Sequence, residues 1–226
     1  MAWADEIVVV DSESTDKTVQ IAREFSELVV VRPWPGFAAQ KNFALEQASG
    51  DWLLSLDADE EVSPELRDEI LKVLTGGPLA DGYAVPRRNV FLGQWVRHGG
   101  LFPDLQIRLF RRGLGRFVDR DVHESVQVRG AIGRLNGHLV HRSYEGVADF
   151  FERANRYSTL AAAEQVRAGR RARARELVLR PLGRFLSMYI VQRGFADGRK
   201  GLLLAALYAY YVFMRTAKVW EATRGR

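Results

Sequence analysis

The sequence contains no cysteine, which excludes disulfides and thiolate metal sites and fits a reducing compartment. It also lacks any apolar run long enough for a bilayer. The longest, Gly201 to Met214, covers 14 residues, whereas a spanning helix needs about 20, so the run is expected not to cross. The opening stretch MAWADEIVVVD places acids where a secretory leader has basic and then apolar residues, which predicts no leader. There is no internal repeat and no low-complexity tract. Lysine is scarce, five against 28 arginines, a ratio that a GC-rich genome also produces.

With 47% hydrophobic and 11% aromatic residues in 226, the chain can bury a full core, which excludes disorder for most of its length. The net charge of +5 is unevenly placed: Arg167, Arg170, Arg171, Arg173, Arg175, Arg180 and Arg184 crowd one segment. Such a patch suits phosphates, an acidic lipid surface or nucleic acid, the alternative being a solvated helix face. Nucleic acid is the weakest of these, because the basic residues gather away from the acidic cluster described next and no recognition motif is present.

The stretch LSLDADEE puts four carboxylates, Asp57, Asp59, Glu60 and Glu61, within five positions behind an apolar run. Two like charges about 4 Å apart cost roughly 1 kcal/mol in water and several times more beside protein, so a positive partner is expected. An Asp-x-Asp triplet alone carries little information: 13 aspartates in 226 residues give about 0.7 by composition, and Asp119-Arg120-Asp121 is a second example. Location separates them. Glu6–Val10 reads as a buried strand ending at Asp11, a helix follows through Thr18, Ile21, Ala22 and Phe25, and Leu28–Val31 is a second strand. A helix over Phe37–Ala48 and a strand over Trp52–Leu56 complete a strand, helix, strand, helix, strand pattern. Asp11 and Asp57 then stand at carboxyl ends of strands, where open parallel sheets bind ligands. In extended backbone Asp57 and Asp59 would point to one side. The second triplet follows RRGLGRFV and reads as loop.

Downstream, Ser63-Pro64-Glu65 predicts a helix start with Ser as cap, running to about Leu74. Gly82–Leu92, Leu105–Phe110 and Ser125–Val128 read as strands of a mixed or antiparallel extension. Val147, Phe150, Phe151, Ala154, Tyr157 and Ala161 mark a long amphipathic helix.

The segments ADEIVVVDSESTDKT, RPWPGFAAQKNFALEQASGDWLLSLDADEEVSPEL, PDLQIRLFRR and VHESV together resemble family-two glycosyltransferases, in particular the lipopolysaccharide core glucosyltransferase branch. The resemblance implies a GT-A-like α/β fold, a mostly parallel sheet flanked by helices. Residues 1–145 would form the nucleotide-sugar and catalytic domain and 146–226 a helical appendage. It also implies a further strand and helix ahead of ADEIVVVDS. With those outside the sequence, the strand ending at Asp11 is expected to pair with the one ending at Asp57.

The resemblance implies a nucleotide-sugar donor, UDP-linked in most members, and a divalent ion, magnesium or manganese, bridging its diphosphate to Asp59. Asp57 would assist the metal or hold the ribose, with Asp11 and Ser12 on the nucleoside side and Lys41 facing the nucleotide. Glu124 in DVHESV is the first candidate for the base that deprotonates the acceptor hydroxyl, and Asp104 in FPDLQIRLF the second. His123 is a possible further ligand with a structural role as its alternative; Arg108, Arg111 and Arg112 face either phosphates or solvent. The expected activity is inverting transfer of a hexose, such as glucose, to a lipopolysaccharide-core or other lipid-linked acceptor at the cytoplasmic face of the inner membrane. The basic segment and Leu202–Met214 would provide a peripheral attachment. The alternative, from a different class, is an inert shortened homologue serving as a membrane- or partner-binding module.

Overall fold

The computed structural model describes residues 3–118, 125–144 and 146–224. Its elements run β1 (Val8–Asp11), α1 (Thr18–Phe25), β2 (Leu28–Val31), α2 (Phe37–Gln47), β3 (Trp52–Leu54), β4 (Glu60–Val62), α3 (Pro64–Thr75) and β5 (Gly82–Phe91). They continue through β6 (Gln94–Trp95), β7 (Asp104–Arg111), β8 (Gly115–Val118), β9 (Ser125–Val128), β10 (Ile132–Arg134) and β11 (Leu139–Tyr144). Three helices close the order: α4 (Val147–Arg167), α5 (Glu176–Leu186) and α6 (Gly198–Thr223). Two compact units emerge, one built from Met1–Leu56, Val73–Ala84 and Ile107–Arg134, the other from Asp57–Lys72, Val85–Gln106 and Leu135–Arg226.

In the first unit the β-branched run of β1 lies parallel to β2, from Val8 opposite Leu28 to Asp11 opposite Val31. These two strands form their own sheet, so the expected pairing of β1 with β3 does not occur among the described residues. β3 instead runs antiparallel to the end of β7, with Leu53 opposite Phe110. The apolar run before Asp57 is satisfied by Leu109 and Phe110, both buried, so β1 is not required as its neighbour. Gly36 at φ 111° turns the chain into α2, a backbone angle that side chains resist. Asn42 on α2 exchanges hydrogen bonds with the backbone of Phe117 on β8, at 2.8 and 2.9 Å, and fixes the helix against that strand.

In the second unit β11 lies between β5, which it joins in parallel, and β4, which it joins antiparallel. The sequence pattern did not predict β4. Glu60-Glu61-Val62 has little intrinsic strand preference, and it is the ladder to β11 that holds it extended. α3 starts as its cap predicts: the Ser63 hydroxyl accepts the Leu66 N–H at 3.2 Å, and Leu66 and Ile70 are buried one turn apart. The core joins Phe91 and Val96 to Phe150 and Ala154 of α4 and Leu204 and Leu207 of α6. Lys218 on α6 donates to the Asn155 carbonyl and the Ser158 hydroxyl of α4, both at 2.8 Å.

α6 extends well past the apolar run that the sequence shows. Gly194–Thr223 is one helical stretch long and apolar enough, by length and composition, to cross a membrane. The sequence expectation counted uninterrupted apolar residues, whereas the helix also takes in the flanking Arg199, Lys200, Arg215 and Lys218. Leu204 and Leu207 are nonetheless part of a protein core, which ties this helix to α4.

Candidate active site

Asp57 and Asp59 sit on a turn and not on extended backbone. The Glu60 N–H donates to the Asp57 carbonyl at 3.0 Å, closing the turn, and the chain then enters β4. The Glu60 carboxylate braces it, accepting the Asp57 N–H at 3.1 Å through one oxygen and Arg87 Nη1 at 3.1 Å through the other. Part of the crowded charge is thus matched by protein cations. Arg87 meets the buried Glu60 and Arg142 meets Glu61 at the surface, while the His141 imidazole lies beside Asp59.

His141 is the informative member. Asn89 Nδ2 donates to the Leu101 carbonyl at 2.9 Å; a carbonyl only accepts, so Asn89 Oδ1 is the atom that faces His141 Nδ1 at 2.6 Å. Nδ1 therefore carries a hydrogen. Nε2 lies 3.4 Å from Asp59 Oδ2 and, in the neutral ring, presents a lone pair toward that carboxylate. Two electron-rich atoms so placed need positive charge, supplied by a proton on Nε2 or by a cation. Burial pushes the Asp59 carboxyl up, but the hydrogen bond and charge of His141 outweigh burial and the neighbouring Asp57, leaving it below its ordinary range. An imidazole whose second nitrogen is anchored by an amide oxygen has the orientation of a metal ligand. Among the described residues no group of three or more His, Asp or Glu could hold an ion. A divalent cation at Asp59 and His141 would take its remaining ligands from phosphate and water, as magnesium and manganese commonly do.

Asp104 is engaged on both oxygens. Its Oδ2 accepts Arg87 Nε at 2.9 Å and Nη2 at 2.7 Å, and Oδ1 accepts Gln106 Nε2 at 2.7 Å. Burial raises its pKa, yet the Arg87 charge and these hydrogen bonds prevail and hold it low. A carboxylate so occupied is a poor proton acceptor at neutral pH. Glu124, His123 and the triplet Asp119-Arg120-Asp121 lie outside the described residues.

In the first unit, buried Asp11 ends β1 and accepts the Ser14 N–H at 2.8 Å, while Ser12 accepts Gln40 Nε2 of α2 at 2.9 Å. Gln40 is itself buried, and its Oε1 has no partner among the described residues, an acceptor lacking its donor. Lys41 Nζ lies over the Phe117 ring, 5.1 Å from its centre. Arg108 is buried, whereas Arg111 lies over Trp52 and 3.7 Å from Asp81. Asp11, Ser12 and Lys41 thus belong to one unit and Asp57, Asp59 and Asp104 to the other.

Glu60, Arg87, Asn89 and His141 are absent from the sequence-based site. The sequence marks three of them only as members of short polar runs inside strands with apolar flanks, Arg87-Arg88-Asn89 in VPRRNVF and His141-Arg142-Ser143 in LVHRSY.

The family model for "Glycosyl transferase family 2" matches residues 4–134. The chain is 33% identical over 223 residues to the lipopolysaccharide core biosynthesis glycosyltransferase LpsC of Rhizobium meliloti (strain 1021), covering 96% of this chain and 83% of that protein. It is 32% identical over 228 residues to the uncharacterized glycosyltransferase RT0209 of Rickettsia typhi (strain ATCC VR-144 / Wilmington), covering 96% and 78% respectively. Among solved structures, S. aureus TarS 1-349 aligns over 97% of this chain and 82% of that one, with 18% identity and a TM-score of 0.41. The match to the family over more than half of the chain, together with relatives aligned over 96% of it, makes this protein a glycosyltransferase of family 2.

Proposed function

We propose that the protein moves a hexose, with glucose the sugar implied by the family resemblance, from a UDP-linked donor to a lipopolysaccharide-core or other lipid-linked acceptor. The similarity to LpsC supports the acceptor class. The observation that carries the proposal is the Asp59 and His141 pair, with the imidazole hydrogen fixed on Nδ1 so that Nε2 faces the carboxylate. A divalent ion held there would offset charge on the departing diphosphate. One imidazole in the set favours manganese over magnesium, which prefers oxygen throughout.

Asp57 rides on the same turn and is assigned to the metal or the donor ribose. Asp11, Ser12 and Lys41 are assigned to the nucleoside end of the donor, where Gln40 Oε1, without a partner among the described residues, would accept an imide N–H of the base. Glu124 is assigned as base, taking the proton of the acceptor hydroxyl as that oxygen bonds to the anomeric carbon and the bond to the diphosphate oxygen breaks, with inversion. Asp104 is assigned to holding Arg87. The site of action is the cytoplasmic face of the inner membrane, with the protein attached peripherally.

The test is hydrolysis of a panel of nucleotide sugars with and without manganese. One donor should be turned over only with metal, and Asp59→Ala should lower the rate by about 100-fold or more. An Asp59→Ala variant as fast as the unmodified chain overturns the metal assignment. Absence of metal-dependent heat on titration with UDP and manganese would favour an inert homologue that serves as a binding module.

A further inference from the structure

α5 has no buried residue, although half of it is apolar. Val178, Leu179, Leu182 and Leu186 recur at i, i+1, i+4 and i+8, which at about 100° per residue gathers them on one face. That face is open: Val178 is 66% exposed, Leu182 50%, and Ile190 and Val191 in the next turn 55% and 76%. The opposite side of α5 is occupied, with Arg184 lying over the Tyr208 ring of α6 at 5.4 Å and Arg180 paired with Glu176. A contiguous apolar strip of this kind on a protein surface marks something that covers it.

The charges around the strip say what covers it. Residues 170–200 contain nine basic side chains, Arg170 to Lys200, against two acids, Glu176 and Asp197. This surplus of seven exceeds the +5 of the whole chain, so the remainder is acidic overall. Arg171, Arg173 and Arg175 are exposed before the apolar strip and Arg193 after it. Guanidinium groups at both ends of an apolar face match headgroup phosphates above acyl chains, with the arginine stems lying along the boundary.

We propose that α5 and the turn after it, from Arg171 to Arg193, lie in the interface of an acidic bilayer with Val178, Leu179, Leu182, Leu186, Ile190 and Val191 facing the acyl chains. This deepens the function proposed above, on which it rests only for the acceptor being lipid-linked. It names the attachment surface and the lipid charge that surface selects.

Flotation of the full chain with phosphatidylcholine vesicles, with and without about one-third phosphatidylglycerol, reads the proposal directly. The unmodified chain should float with the acidic vesicles and at least about tenfold less with the neutral ones, and added salt should weaken the binding. Leu182→Glu with Leu186→Glu should reduce acidic-vesicle binding by about tenfold or more. Arg171→Gln with Arg173→Gln and Arg175→Gln should reduce the preference for acidic over neutral vesicles. All five positions are exposed or outside the core, and unchanged circular dichroism would confirm folding. Equal binding to both vesicles, no binding to either, or variants that bind like the unmodified chain overturns the proposal. So does a dimer in vesicle-free buffer that the leucine variant dissociates, since the strip would then face a second copy. Donor hydrolysis without vesicles should be unchanged in both variants. Its absence in the unmodified chain, with vesicle binding intact, counts against the glycosyl-transfer assignment alone.

Discussion

Arg87 holds two carboxylates from different parts of the chain, Glu60 at 3.1 Å and Asp104 at 2.7 Å, and its side chain is 17% exposed. Taking such a cation away strands two shielded negative charges, which costs about 3 kcal/mol or more, whereas replacing a whole cluster with neutral groups costs less. Arg87→Met should accordingly lower the urea midpoint by an amount equivalent to about 3 kcal/mol. Adding Asp104→Asn should recover part of the loss; a single variant as stable as the unmodified chain would show that the clamp is energetically idle. The same pair sets a pH dependence. The Asp104 carboxyl sits below its ordinary value of 3.8, because Arg87 and its hydrogen bonds outweigh burial, so near that pH the unfolded chain binds more protons than the folded one. The stabilisation is full above 3.8 and is lost as pH falls from there through the folded value. In Asp104→Asn the acid limb of a stability-against-pH curve should flatten. The aspartates of the turn were legible because short-range spacing shows in a sequence. Arg87 and His141 were not, since only the pairing of β11 with β4 and β5 brings them there.

Elements whose signals are local came through almost unchanged. α2 begins after Gly36, α3 begins at Pro64 behind the Ser63 cap, and β9 occupies Ser125–Val128, all where sequence spacing predicts. Partners were harder: β1 takes β2 and not β3, and β4 is a strand only because β11 lies beside it. A close approach of backbone to backbone fixes Gly201 near the start of α6. A Cβ there would fall onto the Gly194 carbonyl oxygen, a backbone atom that cannot swing aside. Asp197, between these glycines, accepts the Arg97 and His98 N–H groups at 3.1 and 2.8 Å, so the turn is held from a second side. Gly201→Ala should therefore cost about 1–3 kcal/mol although alanine is the better helix former. Chemical denaturation checks this, and a stabilised variant would mean that the turn before α6 yields easily.

At the scale of the molecule, both compact units are assembled from separated segments, so the family match over residues 4–134 does not coincide with either one. Cutting after Arg134 would remove β11, the strand that joins β4 to β5 and carries His141. It would also remove Phe150, Ala154, Leu204 and Leu207, leaving Phe91 and Val96 without most of their core. Burial of one large apolar side chain is worth roughly 1.5–3 kcal/mol, and total stability is on the order of 5–15 kcal/mol, so losing several such contacts is comparable with the whole. A fragment of residues 1–134 should accordingly show no sharp thermal transition by circular dichroism and no manganese-dependent heat with UDP, although it keeps Asp11, Lys41, Asp57 and Asp59. A fragment that melted cooperatively and bound UDP with metal would show that the Asp57–Asp59 turn is shaped without β11, and that His141 is a neighbour of the site and no part of it.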